Sequence, residues 1–252
     1  MQKALARVTA ELRRVLGDGI HLYLYGSVPM GDFRYGWSDI DILCLADAEV
    51  TEEQARSLVG LRQALLEREP GNPYYRSFEG AVLPVGELQS GKTKRAVYYG
   101  TSGQRITDRY TLDVFSLWEL HHAGIRLYGT DILPSLPSPD ERALSDGVRL
   151  HYESIRQYAQ ATGESLYSCG WLLDIARCLY TLRYHTVLSK TAAGEWALCE
   201  NLCPEPEQLR HALKIRKSPW RYRDLTEEKA WLSSLAPTVQ RFADVLEREM
   251  NI

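Results

Sequence analysis

Asp39 and Asp41 stand two residues apart in "SDIDILCL" (residues 38–45), a stretch of strand-like composition. A strand turns both aspartates to one face and Ile40 and Ile42 to the other. Two like charges on a nearly buried strand are costly, and a divalent cation is the usual means of offsetting them. The preceding apolar run, "IHLYLYG", closes on Gly26-Ser27. A glycine there lets backbone N–H groups approach a phosphate closely. Gly-Ser turn, polar loop and Asp-x-Asp strand together read as a clamp, with metal on the two carboxylates and phosphates filling its remaining positions.

The frame carrying these residues is an ordinary globular one. The chain has 252 residues, of which 44% are hydrophobic and 25% charged, with a formal net charge of -3. That balance lacks the basic footprint of a nucleic-acid binder, so no nucleic-acid partner is expected. No apolar run approaches the ~20 residues of a membrane span. The N-terminal "MQKALARVTAELRRVLGD" is charged throughout, which fits an amphipathic helix and not a signal peptide. Five cysteines, an odd count in a long chain, speak for reduced thiols and a cytoplasmic location. Cys199 and Cys203 lack a second ligand pair at zinc spacing.

Periodicity predicts a helix over 2–17, strands at "IHLYLYG" and "SDIDILCL", and a helix over 51–68 with Thr51 as N-cap. "SFEGAVLPV" and "KRAVYYG" read as strands around a loop, a helix lies near 109–123, and "IRLYG" is a short strand. Three prolines in "TDILPSLPSPDERAL" mark a boundary. Beyond it the pattern is helical: 142–160, 165–187, 190–200, 205–216 and 225–250, the last kinked at Pro237. The expectation is an α+β protein, with a mixed-sheet domain over 1–138 and an all-helical domain over 139–252. A cleft between them is the default binding site.

At this point the chain resembles the nucleotidyltransferase superfamily, whose signature is a Gly-Ser turn followed about a dozen residues later by Asp-x-Asp. Within it the sequence is similar to the aminoglycoside adenylyltransferases of the streptomycin/spectinomycin type. "FEGAVLP" resembles the strand bearing that family's third carboxylate, "LWELHHAGIRLYGTD" its helix-to-strand passage, and "LLDIARCLYTLRYHTVLSKTAAGEWAL" its C-terminal signature. The resemblance implies Mg²⁺ on Asp39 and Asp41, ATP phosphates at Gly26 and Ser27, and Glu79 as general base on a hydroxyl of a small cationic acceptor. It places Lys190 on the triphosphate, reaching across the cleft. Arg34, in the loop before Asp39, and the basic stretch 210–223 are further phosphate candidates, whereas Trp196 reads as core packing. The positions where the family carries an acceptor-binding Asp and His fall near Ser168 and Trp171, which supply no charge; Glu164 and Asp174 are close by but not at matching places. That speaks against streptomycin and leaves a spectinomycin-like or other amino or hydroxyl acceptor open. Oligomeric state is not legible.

Two other readings compete. "GELQSGKT" (86–93) fits the Walker pattern of a P-loop NTPase, but such a motif must open a helix facing phosphate, and "KRAVYYG" reads as a strand. A non-catalytic, antitoxin-type partner-binding module is the other; all three carboxylates favour an enzyme.

Overall fold

The computed structural model describes residues 1–100 and 102–251. The chain divides into two compact units, one of residues 1–31 and 39–138, the other of 32–38 and 139–252. The short segment 32–38 thus lies between two strands of the first unit yet packs with the helices of the second.

The first unit opens with helix α1 (Gln2–Leu16), which buries Ala4, Val8 and Leu12 at helical spacing. Strands β1 (Ile20–Tyr25) and β2 (Ile40–Ala46) follow. The expected helix over 51–68 is two, α2 (Glu52–Val59) and α3 (Leu61–Arg68), because Gly60 ends one and caps the next. Thr51 caps α2 in a reciprocal capping box with Gln54. A 3₁₀ turn (Tyr75–Ser77) leads into β3 (Phe78–Pro84), then α4 (Val85–Ser90), β4 (Ala96–Gly100) and β5 (Gly103–Thr107). Neither α4 nor β5 is visible in the periodicity. Helix α5 (Val114–Ala123) starts later than expected, at the N-cap Asp113, whose carboxylate accepts from the N–H groups of Phe115 and Ser116. Strand β6 (Ile125–Tyr128) completes the sheet.

The strand order is β5-β4-β3-β2-β1-β6. β2 and β3 run parallel; the other neighbours are antiparallel. One sheet face carries Tyr23, Leu43, Ala81 and Leu83, packed with Leu120 of α5 and Leu136. Asp41 lies two residues before Leu43 on that same face. Gly80, with φ 132, allows β3 to approach the Ile42 carbonyl so closely that any Cβ would collide with it.

The second unit comprises α6 (Glu141–Tyr158), α7 (Tyr167–Tyr184), α8 (Lys190–Cys199), α9 (Pro206–Lys217), α10 (Pro219–Tyr222), α11 (Thr226–Ser233) and α12 (Ala236–Glu249). Pro237 does not kink one helix over 225–250. It stands in the first turn of α12, where its missing N–H costs nothing, and α11 is separate. Arg156 of α6 binds Gln240, Asp244 and Glu247 of α12. Trp196 is half-buried and makes edge contacts with Tyr180 and Tyr184.

Candidate active site

Sheet register gathers the acids. Asp41, second in β2, is paired with Tyr25 of β1 on one side and Glu79 of β3 on the other. Register partners share a face, so Tyr25, Asp41 and Glu79 form one row across three strands. Asp39 comes just before β2, and its carbonyl accepts the Ser27 hydroxyl at 3.3 Å. Gly26 has φ 72, and a Cβ there would strike the Asp41 carboxylate. The Gly-Ser turn therefore lies directly on the aspartate strand. The Glu79 carboxylate accepts the Tyr98 hydroxyl at 2.9 Å, and the Arg105 guanidinium lies 4.4 Å from the centre of the Tyr98 ring.

Burial pushes the Asp41 carboxyl well above the usual carboxylate range, and Asp39, Glu119, Glu79 and Asp113 each push it further. Two of these acids, Asp113 and Glu119, were not singled out by motif. The available signal is spacing: Glu119 falls four residues after Phe115, on the buried face of its helix. Burial also raises the Tyr25 and Tyr110 hydroxyls.

A buried carboxylate whose leading neighbours are carboxylates fits a hard divalent cation with oxygen ligands. Among the described residues, no group of three or more His, Cys, Asp or Glu is arranged to hold an ion by itself. Mg²⁺ usually takes one or two carboxylates and completes its shell with water and substrate phosphates. Asp39 and Asp41 suit that role.

The remaining candidates lie in the other unit. Lys190 is the first residue of α8, after the N-cap Ser189, and its ammonium lies 3.0 Å from the Asp174 carboxylate. Burial alone would raise the Asp174 carboxyl, but Lys190, Arg177 and His151 hold it below its usual value. Arg34 lies 3.4 Å from Asp32, with its Nε buried and without a hydrogen-bond partner. Within the basic stretch, Arg210 pairs with Glu207, Lys217 with Glu195 and Arg223 with Asp224, as on a solvated face, whereas Arg216 is buried. Ser168 is also buried, its hydroxyl bonded to the backbone of Gly163.

The Walker-like segment has the wrong polarity for a P-loop. Its first residues form α4, and Gly91-Lys92-Thr93 follows the C-terminal end of that helix. Carbonyls, not N–H groups, emerge there, and phosphate is repelled. All five cysteines are free thiols. No helix among the described residues is long and apolar enough to cross a membrane.

Residues 132–249 match the family described as aminoglycoside adenylyltransferase, C-terminal domain, and residues 5–74 match the nucleotidyltransferase domain. Among solved structures, the fold is similar to that of the spectinomycin adenyltransferase AAD(9) from Enterococcus faecialis, crystallised with ATP and spectinomycin. The two chains share 16% identity at a TM-score of 0.62, over 98% of this chain and 99% of that one. A search of curated proteins returns no match.

Proposed function

We propose that this chain, a member of the aminoglycoside adenylyltransferase family of nucleotidyltransferases, transfers AMP from ATP to a hydroxyl of a small cationic acceptor and releases pyrophosphate. The observation that carries the reading is the row Asp41–Glu79, with Asp39 and the Gly26-Ser27 turn packed onto it. Asp39 and Asp41 would hold Mg²⁺, which when bound supplies charge neutralisation at the phosphates. The turn presents backbone N–H groups to the phosphate tail. Glu79, oriented by the Tyr98 hydroxyl, takes the proton of the acceptor hydroxyl. The acceptor oxygen then bonds to the α-phosphorus as the bond from that phosphorus to the pyrophosphate oxygen breaks. Lys190 and Arg34 are the cationic candidates for phosphate contact.

The acceptor we favour is an aminocyclitol of the spectinomycin kind, the ligand in the structurally similar enzyme. Ser168, buried and engaged with backbone, offers no charge to a strongly cationic streptomycin-like acceptor. The free thiols fit a reducing, cytoplasmic setting.

The test is pyrophosphate release with Mg²⁺-ATP across a panel of aminocyclitols and aminoglycosides. Turnover with an aminocyclitol is expected. Absence of turnover with every acceptor, together with absence of metal-dependent ATP binding, rejects the reading. In the same assay, Glu79→Gln should lower kcat by roughly 10²–10⁴-fold with ATP binding retained. Unimpaired transfer by that variant would remove Glu79 as the base.

A further inference from the structure

The connection from Ser27 to Asp39 contains no helix or strand, only turns closed by a few backbone bonds such as Trp37 N–H to the Arg34 carbonyl. Such a segment needs side-chain contacts to adopt one conformation. Asp32 provides them, and its partners come from far along the sequence. The Asp32 and Arg216 side chains are 4% and 3% exposed. Arg216 Nη2 donates to Asp32 Oδ2 at 2.7 Å, and its Nε to Thr191 Oγ1 at 3.2 Å. The Thr191 hydroxyl donates to Asp32 Oδ1 at 2.6 Å, and its backbone N–H to Oδ2 at 3.2 Å. The Arg216 guanidinium also lies 5.3 Å from the ring centre of Trp37, two residues before Asp39.

Each charge in this knot is matched and both Asp32 oxygens are bonded. A buried pair adds little net stability over an apolar core, so its effect is sought in the geometry it imposes. The contacts hold two things at once: the loop leading to Asp39, and the first turn of α8, where Thr191 follows Lys190.

We propose that Asp32, Thr191 and Arg216 are positioning residues for nucleotide binding: they fix the loop between the Gly26-Ser27 turn and Asp39, and with it the turn of α8 that bears Lys190. Here the inference rests on the adenylyl-transfer reading, because the residues positioned are those assigned to ATP and its metal. The loop is ordered before ATP arrives, so the ordering entropy is not drawn from binding.

Thr191→Val tests this with little change of shape, since it removes the bridging hydroxyl alone. With the fold intact by circular dichroism, KM for Mg²⁺-ATP should rise about tenfold while KM for the acceptor stays within about twofold. Amide exchange of peptides covering 27–39 should quicken by about tenfold in the ATP-free protein. Thr191→Ser should restore both values, and Asp32→Asn should move them further. If Asp32→Asn does not fold, the two threonine variants decide. Unchanged exchange and unchanged KM in Thr191→Val overturn the proposal, as does a parallel rise in both KM values. If the wild-type protein turns over no acceptor, the adenylyl-transfer reading fails, and the exchange rates of 27–39 alone decide the anchor.

Discussion

Asp41 of the first unit and Asp32 and Asp174 of the second meet opposite surroundings. Asp41 in the sheet has acids as its leading electrostatic neighbours, and its carboxyl is pushed well up. In the second unit Asp32 is buried and Asp174 partly so, but Arg216 in one case and Lys190 and Arg177 in the other hold their carboxyls down. The residue type is the same; the counter-charge differs. A matched acid fixes geometry, whereas an acid left among acids stores repulsion that a bound cation can relieve.

The strongest test of the contrast removes the repulsion between the clustered acids. Asp39→Asn with Asp41→Asn should lower kcat/KM by about 10³-fold or more while the metal-free protein melts at a higher temperature than wild type. A lower melting temperature would mean that Asp41 is structurally matched after all. The converse change, Arg216→Met, leaves Asp32 with Arg34 at 3.4 Å as its counter-charge and should cost up to about 3–5 kcal/mol in urea unfolding. Asp32→Asn added to it should restore much of the loss.

Acid titration separates the two sets with smaller effects. The Asp32 and Asp174 carboxyls are depressed on folding, so their stabilisation is complete above the ordinary value of about 4 and is lost as pH falls through their lower folded values. Asp41 is raised on folding, so it penalises the metal-free fold as pH climbs through and beyond that ordinary value. Added Mg²⁺ should therefore raise the melting temperature more at neutral pH than near pH 5, as scanning fluorimetry can show. The smallest effect expected is from Lys92→Ala, within about twofold of wild-type kcat/KM, because Lys92 follows the carbonyl end of α4. Loss of ATP binding in that variant would revive the P-loop.

Much of the fold was legible because its signals are local. Alternating aromatic and β-branched runs marked β1, β2 and β3, and Thr51, Ser189 and Asp140 cap helices as their types lead one to expect. The misses have tertiary causes. Gly60 divides a continuous helical pattern, and the hairpin partner β5 exposes Arg105 and Ile106, so burial leaves no alternation there. Pro237 reads equally as kink or start until the break between α11 and α12 is seen. At the site, Gly26, Ser27, Asp39, Asp41 and Glu79 were legible from residue type and family resemblance. Glu119 and Asp113 were not, because only the packing of α5 brings them to Asp41. Asp32 and Arg216 lie 184 residues apart, beyond the reach of any local pattern.

The path of residues 32–38 bears on how far the molecule can be taken apart. A cut after Ser138 looks natural, since it falls in a proline-rich connection. Yet a fragment ending there carries off Asp32 without Arg216 and Trp37 without the guanidinium beside it. The piece that keeps Asp39 and Asp41 thus inherits, in the very loop that leads to them, an acid that has lost its buried guanidinium and its bonds to Thr191. The helical half is therefore no contiguous module: exchanging it between related enzymes means exchanging residues 32–38 as well, which belong to it although they fall between β1 and β2 along the chain.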